Sequence, residues 1–79
     1  MLSVDVYPAA YDRFRAKLRQ ARLDAKLSQV EVAKMLGKHQ SFMSKIESGE
    51  RRLDFVELQA LARIYGKDLS YFEDEHLSR

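Results

Sequence analysis

Seventy-nine residues suffice for one domain and are too few for two. With no cysteine the chain has neither a disulfide nor a thiolate metal site, and its 46% apolar and 33% charged residues exclude disorder. Three Gly and one Pro leave little room for hairpin turns, and no apolar run nears the roughly 20 residues of a membrane span. A single all-α domain over 1–79 is expected, with its core over about 8–73 and a flexible polar tail over 74–79. No signal peptide is recognisable, so a cytoplasmic, nucleoid-associated location is expected and no membrane partner.

The first helix is expected to start at Pro8, because proline lacks the N–H that a first turn leaves unused. Tyr11, Phe14, Leu18, Ala21 and Ala25 then recur at three- and four-residue spacing, an apolar stripe that runs out near Lys26. Ser28-Gln29-Val30-Glu31 is a capping box, in which hydroxyl and carboxylate each take the other residue's backbone N–H. A second helix over about 29–36 turns Val32, Ala33 and Leu36 inward and stops at Gly37. Only Lys38 and His39 separate Gly37 from a third helix, Gln40 to about Glu47, with Met43, Ile46 and Glu47 on its inner face. Gly49 stops that helix, and Glu50-Arg51-Arg52 makes a charged turn. Asp54-Phe55-Val56-Glu57 is a second cap, before a fourth helix carrying Leu58, Leu61, Ala62 and Tyr65. Gly66 ends it, and Asp68 caps a short fifth helix with Leu69, Tyr71 and Phe72. The polar stretch from Glu73 is expected to fray.

Two helices joined by so short a turn form a bihelical unit whose second member cannot be buried on all sides. On the third helix Gln40, Ser41, Ser44 and Lys45 share a polar face without a carboxylate. Gln pairs with adenine edges, Lys donates to guanine O6 and N7, and Ser serves either role. From Arg13 to Arg52 eleven Lys and Arg stand against Asp24, Glu31, Glu47 and Glu50, a net +7 concealed within a total of +2. Residues 1–12 sum to −2 and residues 53–79 to −3. A basic middle beside an acidic tail points to a polyanion on one side. Ordinary solvated helix faces are the competing explanation.

Catalysis has little to carry it. His39 and His76 stand 37 positions apart without a cysteine, so a metal site lacks ligands. Asp74 and Glu75 lie on the tail without an enclosing pocket, and there is no glycine-rich phosphate loop. No enzymatic activity, cofactor or small-molecule substrate is expected, and His76 receives no role.

The register Ser28-Gln29-x-x-Val32-Ala33-x-x-Leu36-Gly37, then Ser41-Phe42-Met43-Ser44-Lys45-Ile46-Glu47-Ser48-Gly49, resembles the Cro/CI-type (XRE, lambda-repressor-like) helix-turn-helix DNA-binding family. The similarity covers about Leu18 to Phe72 and implies a compact five-helix unit with the helix-turn-helix at helices two and three. It implies that Gln29 holds a phosphate at the start of helix two. By the same resemblance Gln40, Ser41, Ser44 and Lys45 face base edges, while His39, Arg51 and Arg52 touch the sugar-phosphate backbone. Helix capping is the alternative role for His39, and inert surface for Arg51 and Arg52. Arg22 matches the position that pairs with Glu47, a structural pair joining helix one to the recognition helix. Departures from the family pattern are Lys26 where glycine is common, Val32 for leucine, Lys38 for an apolar turn residue, and Phe42 and Met43, the latter for isoleucine. Lys26 implies a different end to helix one, and Lys38 has the reach to approach a phosphate.

The expected function is therefore a sequence-specific transcriptional regulator that binds a roughly palindromic operator on double-stranded DNA. A homodimer would set two recognition helices about 34 Å apart on successive major grooves. Phe55, Leu69, Tyr71 and Phe72 are the candidate dimer contacts, with Tyr71 and Phe72 dividing core and interface between them. Two other functions fit the same residues: an antitoxin-type protein whose main partner is a second protein, and a helical adaptor without DNA binding.

Overall fold

Local capping chemistry decides where the helices begin. A computed structural model describes residues 7–77, which form four α-helices: α1 (Pro8–Asp24), α2 (Gln29–Leu36), α3 (Gln40–Ser48) and α4 (Phe55–Tyr65). No strand occurs among the described residues. At α2 the Ser28 hydroxyl accepts from the Glu31 N–H at 3.1 Å, and the Glu31 carboxylate accepts from the Ser28 N–H at 2.8 Å. Asp54 and Glu57 repeat the box at α4, at 2.7 and 3.0 Å. These reciprocal bonds occupy backbone donors that the first turn of a helix otherwise leaves open.

The fifth helix expected from the sequence is not an α-helix. Leu69–Phe72 is a four-residue 3-10 turn, closed by the Tyr71 N–H on the Asp68 carbonyl at 3.0 Å. So few residues cannot offset the cost of nucleating an α-helix, and i→i+3 bonds suit the short span better. The polar stretch that follows is tied to α1 instead of fraying at once. Lys17 donates to the Glu73 carbonyl at 2.6 Å, and Arg13 forks onto Asp74 with two bonds of 2.8 Å. A further 3-10 turn spans Glu75–Leu77, and residues 78–79 of the expected tail lie outside the described residues.

The core is the set of inward positions read from periodicity. Leu18 and Ala21 of α1, Val32 and Ala33 of α2, Met43 and Ile46 of α3, and Leu61, Ala62 and Tyr65 of α4 are buried together, with Phe72 of the 3-10 turn. Val32 and Met43, both departures from the family pattern, are completely enclosed. Each of the largest buried side chains contributes about 1.5–3 kcal/mol through removal from water. The outcome for function is that α3 has its inner face fixed on α1 and α2 while its opposite face stays in solvent.

The end of α1 carries a strained residue. Lys26 donates to the Leu23 carbonyl at 2.9 Å and Leu27 to the Arg22 carbonyl at 3.2 Å, the paired bonds of a Schellman ending. That ending requires a left-handed residue, and here Lys26 takes φ 61°, where Gly37 at the end of α2 takes φ 69°. The departure from glycine therefore leaves the helix ending in place but loads it with strain. A left-handed non-glycine residue costs about 1–2 kcal/mol, and the extra unfolded-state freedom of glycine returns about 0.4–1 kcal/mol. Lys26→Gly should accordingly raise stability in urea unfolding by about 0.5–1 kcal/mol. A loss of stability in that variant would contradict the strain.

Candidate nucleic-acid interface

One buried carboxylate sets the attitude of α3. Glu47 lies on the inner face of α3, and Arg22 of α1 forks onto it: Nε to Oε2 at 2.7 Å and Nη2 to Oε1 at 3.0 Å. The two side chains are only 9% and 6% exposed, so neither charge has water as an alternative partner. The third guanidinium nitrogen of Arg22 donates to the Leu27 carbonyl at 3.0 Å, which ties the α1–α2 connection to the pair. Hydrogen bonding to Glu47 raises the Arg22 pKa further above its ordinary value, against the opposing effect of burial. Gln29, expected at a phosphate, donates its Nε2 to Glu47 Oε1 at 3.0 Å. It is thus the α2 member of the same network, with a second N–H remaining on that nitrogen.

The far end of α3 is held by a residue that sequence reasoning passed over. Arg15 donates to the Glu47 carbonyl at 2.7 Å and pairs with Asp12 at 2.7 Å. A Cβ on Gly49 would stand 3.0 Å from Arg15 Nε, so glycine serves here both for its φ of 90° and for room. The Tyr65 hydroxyl is buried and has no hydrogen-bond partner among the described residues. Burial first, and then the charge of Glu47, raises its pKa strongly, so it remains a neutral phenol.

On the outer face of α3, Gln40 and Lys45 are exposed and their side chains make no hydrogen bond among the described residues. Ser44 is half-buried and gives its proton to the Ser41 carbonyl at 3.2 Å, which leaves oxygen lone pairs toward solvent. His39 caps α3: its Nδ1 accepts from the Ser41 N–H at 3.2 Å and lies 3.1 Å from the Ser41 hydroxyl. Capping through Nδ1 assigns the proton of the neutral ring to Nε2, a donor with no partner among the described residues. Of the two roles weighed for His39, capping is thus realised within the free protein, and a phosphate contact through Nε2 is compatible with it.

The cations after α3 are differently placed. Arg51 forks onto Glu57 at 3.0 and 2.9 Å and also donates to the Arg52 carbonyl at 3.0 Å. Its hydrogen bonds, more than its charge or the nearby Asp54 amide and Lys38, hold the Glu57 carboxyl below the usual range. Arg51 Cζ lies 4.7 Å from the centroid of the Phe42 ring, and Lys38 Nζ lies 5.4 Å from it. Arg52 stacks over Tyr11 with Cζ at 4.2 Å, and the Tyr11 hydroxyl accepts from the Leu53 N–H at 3.3 Å. The Nη groups of Arg51 are therefore committed to Glu57 and the Arg52 carbonyl while its Nε–H makes no hydrogen bond among the described residues, and the Arg52 guanidinium donates none among them at all.

The four residues expected at a dimer interface differ in their exposure. Phe55 is 62% exposed beside Val56 at 71%, both at the start of α4. Leu69 follows the other end of that helix, roughly 15 Å away along its axis. Tyr71 is half-buried, with Lys67 Nζ 4.6 Å from its ring centroid. Phe72 is corrected to a core residue: it is 6% exposed, with its ring edge-on to Phe14 and Tyr71 at 6.2 and 5.0 Å.

Among the described residues no group of three or more His, Asp or Glu side chains could hold a metal ion, and no helix is long and apolar enough to cross a membrane. What the arrangement does offer is a helix, a three-residue turn and a second helix with a free, acid-less outer face. This is a helix-turn-helix of the nucleic-acid-binding kind. A helix-turn-helix family model matches residues 18–72, well over half of the chain. The chain belongs to that family, the Cro/CI type of helix-turn-helix, and so at a coarse level to the DNA-binding transcription regulators. No curated protein and no solved structure matches it.

Removing one partner of a buried ion pair strands the other. Glu47→Ala should therefore cost about 3–5 kcal/mol in urea unfolding. Arg22→Met combined with Glu47→Leu should cost much less than Glu47→Ala, because no charge is left unpaired. Additive losses in the double variant would contradict the coupling.

Proposed function

We propose that the protein is a sequence-specific transcriptional regulator that inserts α3 into the major groove and binds its operator as a homodimer. The carrying observation is the outer face of α3, where Gln40 and Lys45 are exposed and uncommitted on a helix whose inner face is fixed by the Glu47 network. A donor held by a rigid helix and not bonded to its own protein loses little on meeting a base edge. Lys45 donates to guanine O6 or N7, Gln40 pairs with adenine, and Ser44 presents an acceptor or, on rotation, a donor. Ser41, whose hydroxyl lies against His39, borders this face. The Nε2–H of His39 and the spare N–H of Gln29 approach phosphates at the starts of α3 and α2, where helix dipoles also favour an anion. Arg52 supplies a further phosphate contact beyond α3.

One helix reads only a few base pairs, so a two-fold dimer on a near-palindrome is the economical arrangement. The exposed apolar pair Phe55 and Val56 is the face proposed for the second copy, and the same face is what a partner protein would use in the antitoxin-type alternative. Catalysis, cofactors and small-molecule substrates have no part in this reading.

The reading separates base contacts from phosphate contacts. Lys45→Ala should relax preference at one base position, at a cost of about 1–3 kcal/mol on the preferred duplex only. Arg52→Ala should weaken binding to all duplexes alike and make the salt dependence shallower by about one unit of log–log slope. Equilibrium binding to preferred and mixed-sequence duplexes over a salt series measures both. Identical behaviour of the two variants would contradict this division of roles.

A further inference from the structure

Lys38, Phe42 and Arg51 belong to three successive segments: the turn before α3, the first half of α3, and the turn after it. They meet at one ring. Lys38 Nζ lies 5.4 Å and Arg51 Cζ 4.7 Å from the Phe42 centroid, and the ring itself is half-buried against the core. The two cations repel each other, and Glu57, with a smaller contribution from Asp54 at Arg51, offsets them. The Glu57 carboxylate takes the Arg51 fork at 3.0 and 2.9 Å and lies within the field of Lys38. The Lys38 ammonium donates to no acceptor among the described residues, and Arg51 Nε–H is likewise unused.

We propose that Phe42 is a positioning residue of the DNA interface: its ring holds the Lys38 ammonium and the Arg51 guanidinium as a preset pair of donors to the phosphate backbone of the duplex that α3 reads. The proposal rests on the DNA-binding function given above. A lysine free in water loses rotamer freedom when it grips a phosphate, and one already resting on a ring loses less. The fork onto Glu57 fixes the guanidinium plane and leaves the Nε–H without an acceptor among the described residues, so Glu57 orients Arg51 while one donor stays unspent. Lys38 Nζ at 5.4 Å and Arg51 Cζ at 4.7 Å from one centroid share a single small patch of surface beside α3. Phosphate contacts carry no base information, so the effect belongs to overall affinity and salt dependence, with base preference untouched.

Phe42→Leu keeps an apolar side chain on the core and removes the ring. Binding of the full chain to a mixed-sequence duplex and to the best duplex selected from a random pool, across a salt series, reads the outcome. Both affinities should fall about two- to fivefold, the slope should become shallower by about one, and the ratio of the two affinities should stay constant. Phe42→Tyr should restore affinity and slope. Lys38→Met, at an exposed position that folding does not require, should reproduce the slope change. Adding it to Phe42→Leu should then bring little further loss. A Phe42→Leu variant with lower thermal stability but an unchanged slope, or Lys38→Met with an unchanged slope, overturns the proposal. So does a changed affinity ratio, which would make Phe42 a reader of bases. Wild-type protein that binds neither duplex contradicts the DNA-binding function itself. Wild-type binding with unaltered variant slopes removes the positioning role alone.

Discussion

Glu47 is carried by α3, yet its carboxylate is bonded to Arg22 of α1 and Gln29 of α2, and its own carbonyl to Arg15. Three helices therefore converge on a single buried anion, and the tilt of α3 relative to α1 and α2 follows from satisfying it. Such a pair contributes little net stability compared with well-packed apolar side chains, since desolvation of both charges opposes their attraction. What it supplies is directionality, because an unmet carboxylate or guanidinium in this position is costly while a shifted methyl group is not. Gln40, Ser44 and Lys45 inherit that orientation from the other side of the same helix.

The charge of the middle segment overstates the free positive surface. Arg13, Arg15, Arg22 and Arg51 all have carboxylate partners within the protein. The side chains of Arg19, Lys26, Lys34, Lys45 and Arg52 make no hydrogen bond among the described residues, and Lys38 rests on the Phe42 ring. The electrostatic face thus arises from which cations lack acids nearby. Arg13 ties α1 to Asp74 after α4, Arg22 ties α1 to α3, Arg51 ties the turn after α3 to α4, and Arg15 pairs within α1; of the cations left over, Lys38, Lys45 and Arg52 lie on or beside the recognition helix.

Much of this fold was legible because its signals are local. The boxes Ser28–Glu31 and Asp54–Glu57 and the stops at Gly37, Gly49 and Gly66 act within four residues, so helix boundaries followed from them. The fifth element escaped because a cap and three apolar residues look alike whether the turn closes as α or 3-10; length decides that, through nucleation. The Lys26 departure was visible, but that it would take glycine's conformation unchanged was not, since two backbone bonds hold it there. At the site, the polar face of α3 follows from helical spacing alone, and the Arg22–Glu47 pair followed from resemblance to the family. Side chains reaching across helices left no periodic trace. Gln29 turning to Glu47, Arg51 to Glu57, and the Phe42 ring gathering two cations each depend on tertiary approach. Tyr71 and Phe72 could be ranked as core or surface only once Phe14 was in place beside Phe72.

The most direct measurement of the central claim is selection of bound duplexes from a random pool by the full chain. A dimer that reads with α3 predicts enrichment of a two-fold-symmetric motif whose half-sites are centred about 34 Å, one helical turn, apart. Recovery of no common motif, with uniform weak retention across the pool, would contradict a sequence-reading role for the outer face of α3.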